Sequence, residues 1–290
     1  MLNDFLFAPF GDELPFMRRA LVATLALALA YGPMGVFLIL RRMTLVTDAM
    51  AHAILPGAAA GFLLSGLSLW AMSIGGLIAG FIVAGLAGAI SRVTDLREDA
   101  SFAGFYLVAL AGGVVLLAMG GSSVDLVHVL FGSILAVDDA ALSLMAGAAT
   151  LTLLTMALIY RPLLIECLDP KFMAAASGSG AVWHFAFLAL LVINTVAGFQ
   201  ALGTLMAVGL MILPAVAARF WVRSIMGLWS LATALAFFSG YLGLLASYHL
   251  DAPSGPAIVL TAGGIWFLSM LIGRYNSLRA RLLRDRHLAG

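Results

Sequence analysis

Asp48 and His52 stand four residues apart in TLVTDAMAHAILPG (44–57). On a helix that spacing puts both side chains on one face, within reach of each other. A hard carboxylate oxygen beside a borderline imidazole nitrogen can grip a divalent cation, suiting Zn²⁺ or Mn²⁺ and, less well, Mg²⁺. Two ligands are too few for an ordinary four-coordinate zinc site, so other helices, waters or a second chain would have to complete it. The plainer chemistry is that Asp48 neutralises Arg41 or Arg42 or caps the helix, while His52 donates to a nearby carbonyl. Pro56-Gly57 follows one turn later. A break there frees carbonyls to help hold an ion, or lets the helix end swing as a gate.

Other chemistry-bearing residues are sparser. Asp125 and His128, three apart, could collect cations, and a short amphipathic surface helix accounts for them equally well. His184 falls at the end of an apolar run, where reaching out to the interface is the cheaper account. His249, in LLASYHLDAPSGP, falls at the mouth of another run. Asn194 and Gln200 are candidate pore-lining groups. Gly178-Ser179-Gly180 is too short for a phosphate-binding fingerprint and has no strand before it.

The elements that must position these residues are set by composition. With 63% hydrophobic residues, 10% charged residues and a mean hydropathy of +1.10 over 290 residues, the chain is neither an ordinary soluble domain nor disordered. A net charge of +1 removes the case for a generally basic nucleic-acid binder. The lone Cys167 can close no intrachain disulfide and build no cysteine zinc site. The acidic start, MLNDFLFAPFGDELPF, does not read as a cleavable signal.

A bilayer core needs about 20 apolar residues per crossing helix. Cutting the chain at charges and Gly/Pro/Ser clusters leaves nine stretches, roughly 18–40, 47–65, 69–91, 102–120, 138–160, 180–199, 202–220, 225–247 and 256–274. The expected fold is all-α: a polytopic integral membrane bundle of eight or nine transmembrane helices in one domain over 1–290. The second and seventh stretches are interrupted, by Pro56-Gly57 and by Pro214. Such breaks survive in a membrane only beside protein or a water-filled cavity, which marks Pro56, Gly57 and Pro214 as candidate gating positions. Small residues at spacing four, Gly57/Gly61 and Gly76/Gly80/Ala84/Gly88, read as close helix packing.

Short cytoplasmic loops keep Lys and Arg. Placing the C-terminal tail in the cytoplasm puts 13 of the 15 basic residues inside, leaving Arg18 and Arg19 outside. The opposite loops carry Asp125, Asp138, Asp139 and Asp251 and no Lys or Arg.

A P-loop needs a lysine after its glycines, and the one lysine, Lys171, follows Asp169-Pro170, so any ATP-driven work falls to a partner. No GxSxG elbow and no HExxH helix is present, which argues against common hydrolases, and the chain is not expected to be an enzyme.

The run from Arg41 to Gly57, RRMTLVTDAMAHAILPG, resembles the second-helix region of the permease subunits of bacterial ABC importers for zinc and manganese. LREDASFAGF (96–105), VDLVHVLFGSILAV (124–137), DPKFMAAASG (169–178), LGTLMAVGLMILPAVAAR (202–219) and LDAPSGPAIVL (250–260) resemble that family's segments in the same order. The resemblance implies an eight- or nine-helix permease that pairs with a second copy, docks cytoplasmic ATPase subunits and receives metal from an extracytoplasmic binding protein. It also implies a bacterial inner-membrane location. Asp48 and His52 take the family's ligand positions. Its coupling helix maps onto a loop at about 166–178, with Glu166, Asp169, Pro170, Lys171 and Gly178. Transported metal rather than a permanent cofactor is implied, zinc ahead of manganese because ILPAVAAR (212–219) looks like the zinc branch. The chain departs from the family at Lys171, Phe172 and Met173, at His249 and at Ser133. The expected function is therefore the permease of an ATP-binding-cassette metal importer. The alternatives are a proton-coupled secondary carrier or channel, with the pair as a proton relay, and a structural membrane anchor with no pathway.

Overall fold

The computed structural model describes residues 6–11, 14–66, 68–119, 134–169, 172–173, 175 and 178–280. Asp125, His128, Ser133, Pro170, Lys171 and the last ten residues lie outside them. Among the described residues there are nine α-helices: α1 (Pro15–Leu40), α2 (Thr44–Ala53), α3 (Leu55–Ser65), α4 (Leu69–Val93), α5 (Glu98–Met119), α6 (Asp139–Leu168), α7 (Gly180–Ala218), α8 (Ile225–Leu250) and α9 (Ser254–Ile272). Their starts are chemically marked. Pro15 sits in the first turn of α1, Ser68 Oγ accepts from the Ala71 amide at the head of α4, and Asp138 Oδ1 accepts from the Ala141 amide, 2.7 Å away, at the head of α6.

Among the described residues, eight segments are long and apolar enough to cross a bilayer. They are α1, α2 and α3 taken together, α4, Glu98–Leu116 of α5, α6, Gly180–Phe199 of α7, α8 and α9. The seventh stretch read from the sequence, 202–220, is not a full crossing, which leaves eight. Gly203 takes φ 73° and ψ 172°, breaking α7, and the apolar helix beyond it runs only from Met206 to Ala218. At 1.5 Å per residue that is about 20 Å, against a core of about 30 Å. The chain doubles back at the break: a Cβ on Gly198 would come within 3.2 Å of the Ala207 Cβ. Pro214 is buried in this short returning helix.

The end reached by Ala218 is the end reached by α1, since Val36, Ala215, Ala218, Leu228 and Ala232 form one small apolar cluster. The Tyr275 amide donates to the Phe220 carbonyl, 2.8 Å away, tying the end of α9 to the same level. Arg41, Arg92, Arg161, Arg219, Arg223 and Arg274 thus gather at one end of the bundle. Arg19, which the charge count left on the other side, meets Asp139 there at 3.3 Å.

α7 packs against α1, α2, α4, α6, α8 and α9 and is the hub of the bundle. Seventy-two per cent of the apolar window of α1 is buried, against 17% for α5, so α1 belongs to the protein core and α5 to its outer face. The glycine spacing reads out as packing. A Cβ on Gly57 would lie 2.0 Å from the Gly75 carbonyl oxygen, so α3 and α4 touch backbone to backbone. Gly80 and Gly88 clear space for Val192 and Leu188 of α7.

Candidate metal-transit site

α2 ends at Ala53 and α3 begins at Leu55, with Pro56 in its first turn. Proline lacks the amide that would continue the ladder, so one membrane-length span is built from two short helices. Pro56 is held from the side by α5, where a Cβ on Gly113 would come 3.1 Å from the Pro56 Cα. Asp48 and His52 occupy one face of α2, just before this joint.

His52 Nε2 lies 3.9 Å from Asp48 Oδ1. Two metal–ligand bonds of about 2.1 Å reach at most about 4.2 Å between donors, so a single ion fits between them with a small rotamer adjustment. The Asp48 side chain is 59% exposed and that of His52 is 28% exposed. The Tyr106 ring stacks near the imidazole, centroids 6.1 Å apart at 28°. His52 Nδ1 is buried without a hydrogen-bond partner. A ligating histidine is ordinarily oriented through its second nitrogen, so this one is held by ring stacking rather than by a bonded partner. Among the described residues, no group of three or more His, Cys, Asp and Glu side chains could hold a metal ion. Among the described residues the pair stands without a third such donor.

The plainer role for Asp48, neutralising the upstream arginines, is not what the structure shows. Among the described residues no ion pair joins Asp48 to Arg41 or Arg42. Arg41 turns away and donates to His184 Nδ1 (2.8 Å) and Cys167 Sγ (3.1 Å). His184 is therefore gathered into a different cluster, and His52 and His184 do not share a site. His249 ends α8 with its ring edge-on to Tyr248. Asn194 is buried and donates to Thr152 Oγ1 (2.6 Å) and the Leu190 carbonyl (2.8 Å), a bond within the bundle rather than a pore-lining position.

The coupling segment read from the sequence begins inside a helix. α6 runs to Leu168, because Leu163, Leu164 and Ile165 extend its apolar course past Arg161 and Pro162. Glu166 is 4% exposed and meets Arg92 Nη2 at 2.7 Å. Asp169 caps the end, its Oδ1 accepting from the Phe172 amide at 2.9 Å, and Gly178 takes φ +65°, where a side chain would be strained.

Sequence reasoning missed two groups. Tyr106 gave no periodic or motif signal. Arg92 and Glu98 look like loop charges useful only for orientation, yet they line a cavity of about 450 Å³ with Arg41, Glu166 and His184.

A bundle of membrane-length helices around one broken span, carrying a carboxylate–imidazole pair on the broken half, defines a polytopic membrane permease. The family model described as the ABC 3 transport family matches residues 13–273, and the chain belongs to that family. It is 33% identical over 261 residues to the manganese import system permease protein ScaB of Streptococcus parasanguinis, covering 90% of this chain and 92% of that protein. It is 29% identical over 289 residues to the chelated iron transport system membrane protein YfeD of Yersinia pestis, covering 100% of this chain and 94% of the relative. A solved structure, PsaBC from Streptococcus pneumoniae in complex with Fab, superposes with a TM-score of 0.81 at 30% identity, covering 95% of this chain and 98% of that one.

Proposed function

We propose that this chain is the membrane permease of an ATP-driven importer that brings a divalent transition metal into a bacterial cytoplasm across the inner membrane. The observation that carries the reading is the Asp48 carboxyl group, more than half exposed on a membrane-length span, beside an imidazole at cation-bridging distance. Asp48 is the fifth residue of its span, and an exposed carboxylate within a membrane span is costly there too, so this face gains from a covering. A second copy of the chain supplies one, and brings a second Asp48–His52 pair to complete the coordination.

The absence of a P-loop lysine assigns ATP hydrolysis to separate cytoplasmic subunits docked at the arginine-rich end, over the segment 166–178. That end, with the C-terminus, faces the cytoplasm by the distribution of basic residues. An extracytoplasmic binding protein delivers the ion to the opposite end. Asp48 and His52 hold it briefly, the joint at Pro56-Gly57 and the returning helix with Pro214 flex around it, and ATPase movement opens the inner side. A transit site must bind weakly enough to release, which two donors per chain achieve.

The cargo is manganese first. The zinc preference drawn from the ILPAVAAR stretch is not shared by the relatives named above, which are manganese and chelated-iron systems. A carboxylate and an imidazole without thiolate suit Mn²⁺, and the one cysteine sits against Arg41 instead.

The test is uptake of radiolabelled Mn²⁺ into proteoliposomes holding the permease and its ATPase, with Zn²⁺ and Fe²⁺ as competitors. ATP-dependent uptake lost in Asp48→Ala and in His52→Ala is expected. Uptake driven by a pH gradient without ATP would establish the secondary-carrier reading instead, and wild-type uptake by both variants would remove the pair from the pathway.

A further inference from the structure

Five helix ends meet at the arginine-rich end around two guanidinium groups. Arg92, at the end of α4, donates through Nη2 to Glu166 Oε1 (2.7 Å) and to the Gly180 carbonyl (3.3 Å). Glu166 lies in the last turn of α6 and Gly180 opens α7, so one side chain holds both roots of the segment between them. The fit is built in: a Cβ on Gly180 would stand 2.5 Å from Glu166 Oε2. Trp183 Nε1 donates to Ser179 Oγ (3.0 Å), fixing the α7 root further.

Arg41 does the same one helix over. Its Nη1 donates to His184 Nδ1, its Nε to Cys167 Sγ, and its guanidinium carbon lies 5.1 Å from the centroid of the Phe187 ring. A guanidinium has no acceptor, so His184 Nδ1 must accept, and the neutral ring carries its proton on Nε2. That nitrogen lies 3.0 Å from Glu98 Oε1 at the start of α5. That approach lacks hydrogen-bond geometry, so it is the Arg41 contact at Nδ1 that fixes the ring. Arg41 stands three residues before Thr44, the first residue of α2, and the intervening turn is tight: Arg42 takes φ 59° and the Met43 amide donates to the Leu38 carbonyl (2.8 Å).

We propose that Arg92 and Arg41 are positioning residues that form a two-point clamp, passing displacement of the segment between Leu168 and Gly180 into α2 and hence onto Asp48 and His52. This rests on the reading above that the segment docks an ATPase. A set of ordinary helix-end contacts would leave α2 out of the network. Here the element bearing the candidate ligands is joined, through Arg41, to the same roots that Arg92 grips.

The clamp is tested on the permease–ATPase complex in proteoliposomes by measuring Mn²⁺ taken up per ATP hydrolysed. Arg92→Gln and Arg41→Gln should lower that ratio at least tenfold, while basal ATP hydrolysis and Mn²⁺ affinity in detergent stay within about twofold. Arg41→Lys, which keeps the charge and loses the fork, should fall between them and wild type. Gly180→Ala, which displaces the Glu166 carboxylate without changing charge, should lower the ratio about threefold and decides the matter if the glutamine variants do not assemble. An unchanged ratio in the variants that assemble, or uptake and hydrolysis falling in proportion, would overturn the clamp. Failure of the underlying reading is separate: it would show as ATP-independent uptake by the wild-type complex, or as full uptake by Asp48→Ala.

Discussion

Two polar regions sit at the borders of this apolar bundle and are built in opposite ways. At α2, Asp48 and His52 are 3.9 Å apart, partly open, and one imidazole nitrogen is buried without a partner. At the arginine-rich end, Glu166 is buried against a guanidinium at 2.7 Å and Arg41 makes two directed contacts. A group that must take and release a passing ion gains from an unfilled set of contacts, because filled ones would compete with the cargo. A group that transmits movement gains from contacts that are already made, since broken buried pairs are costly. On the proposed function the difference separates a place for chemistry from a place for mechanics, a difference of degree, since Glu98 Oε1, Glu166 Oε2 and His184 Nε2 also lack hydrogen-bond partners.

Removing the pair should separate transport from stability. Asp48→Ala and His52→Ala are expected to lower Mn²⁺ uptake at least about 100-fold, with little change in the thermal midpoint of the purified chain. A large loss of stability would make the pair structural and erase the contrast. Glu166→Ala should do the reverse in its first effect, stranding Arg92 and destabilising the fold by about 2–3 kcal/mol. That is below the cost of about 3–5 kcal/mol for breaking a fully buried pair, because Arg92 is a third exposed. Its readout is a lowered midpoint in detergent.

Gly57→Ala sharpens the comparison from a third side. The added Cβ would meet the Gly75 carbonyl oxygen, and over-packing of that kind costs about 2 kcal/mol. Thermal unfolding should register it, and uptake should fall too if the joint beside α2 has to move. The mildest change is Asp138→Ala, which deletes the cap of α6. It should cost about 1 kcal/mol and leave uptake per ATP unaltered, since Asp138 touches neither polar region.

The spans were legible because each is a run of about 20 apolar residues bounded by charge, and hydrocarbon tolerates little else. Asp48 and His52 were legible because their spacing is local, one helical turn. The choice of eight crossings over nine was not, because Gly203 sits in a continuous apolar run and its positive φ has no compositional signal. Close packing at Gly57 was legible from its spacing, but its partner, the Gly75 backbone, was not, because it belongs to another helix. The clamp was invisible for another reason. Arg92 and Glu166 are 74 residues apart, and Arg41 and His184 are 143 apart. Each stood out alone only as a helix-end charge, and it is the folding of α7 against α2 and α4 that brings them together.

Pulsed electron paramagnetic resonance of Mn²⁺ bound to the purified permease–ATPase complex tests the central claim most directly, because Mn²⁺ reports the nuclei of its own ligands. A nitrogen-14 coupling that disappears in His52→Ala, with metal binding weakened in Asp48→Ala, is the predicted result. A nitrogen signal unchanged in His52→Ala would place the ion elsewhere and contradict the account.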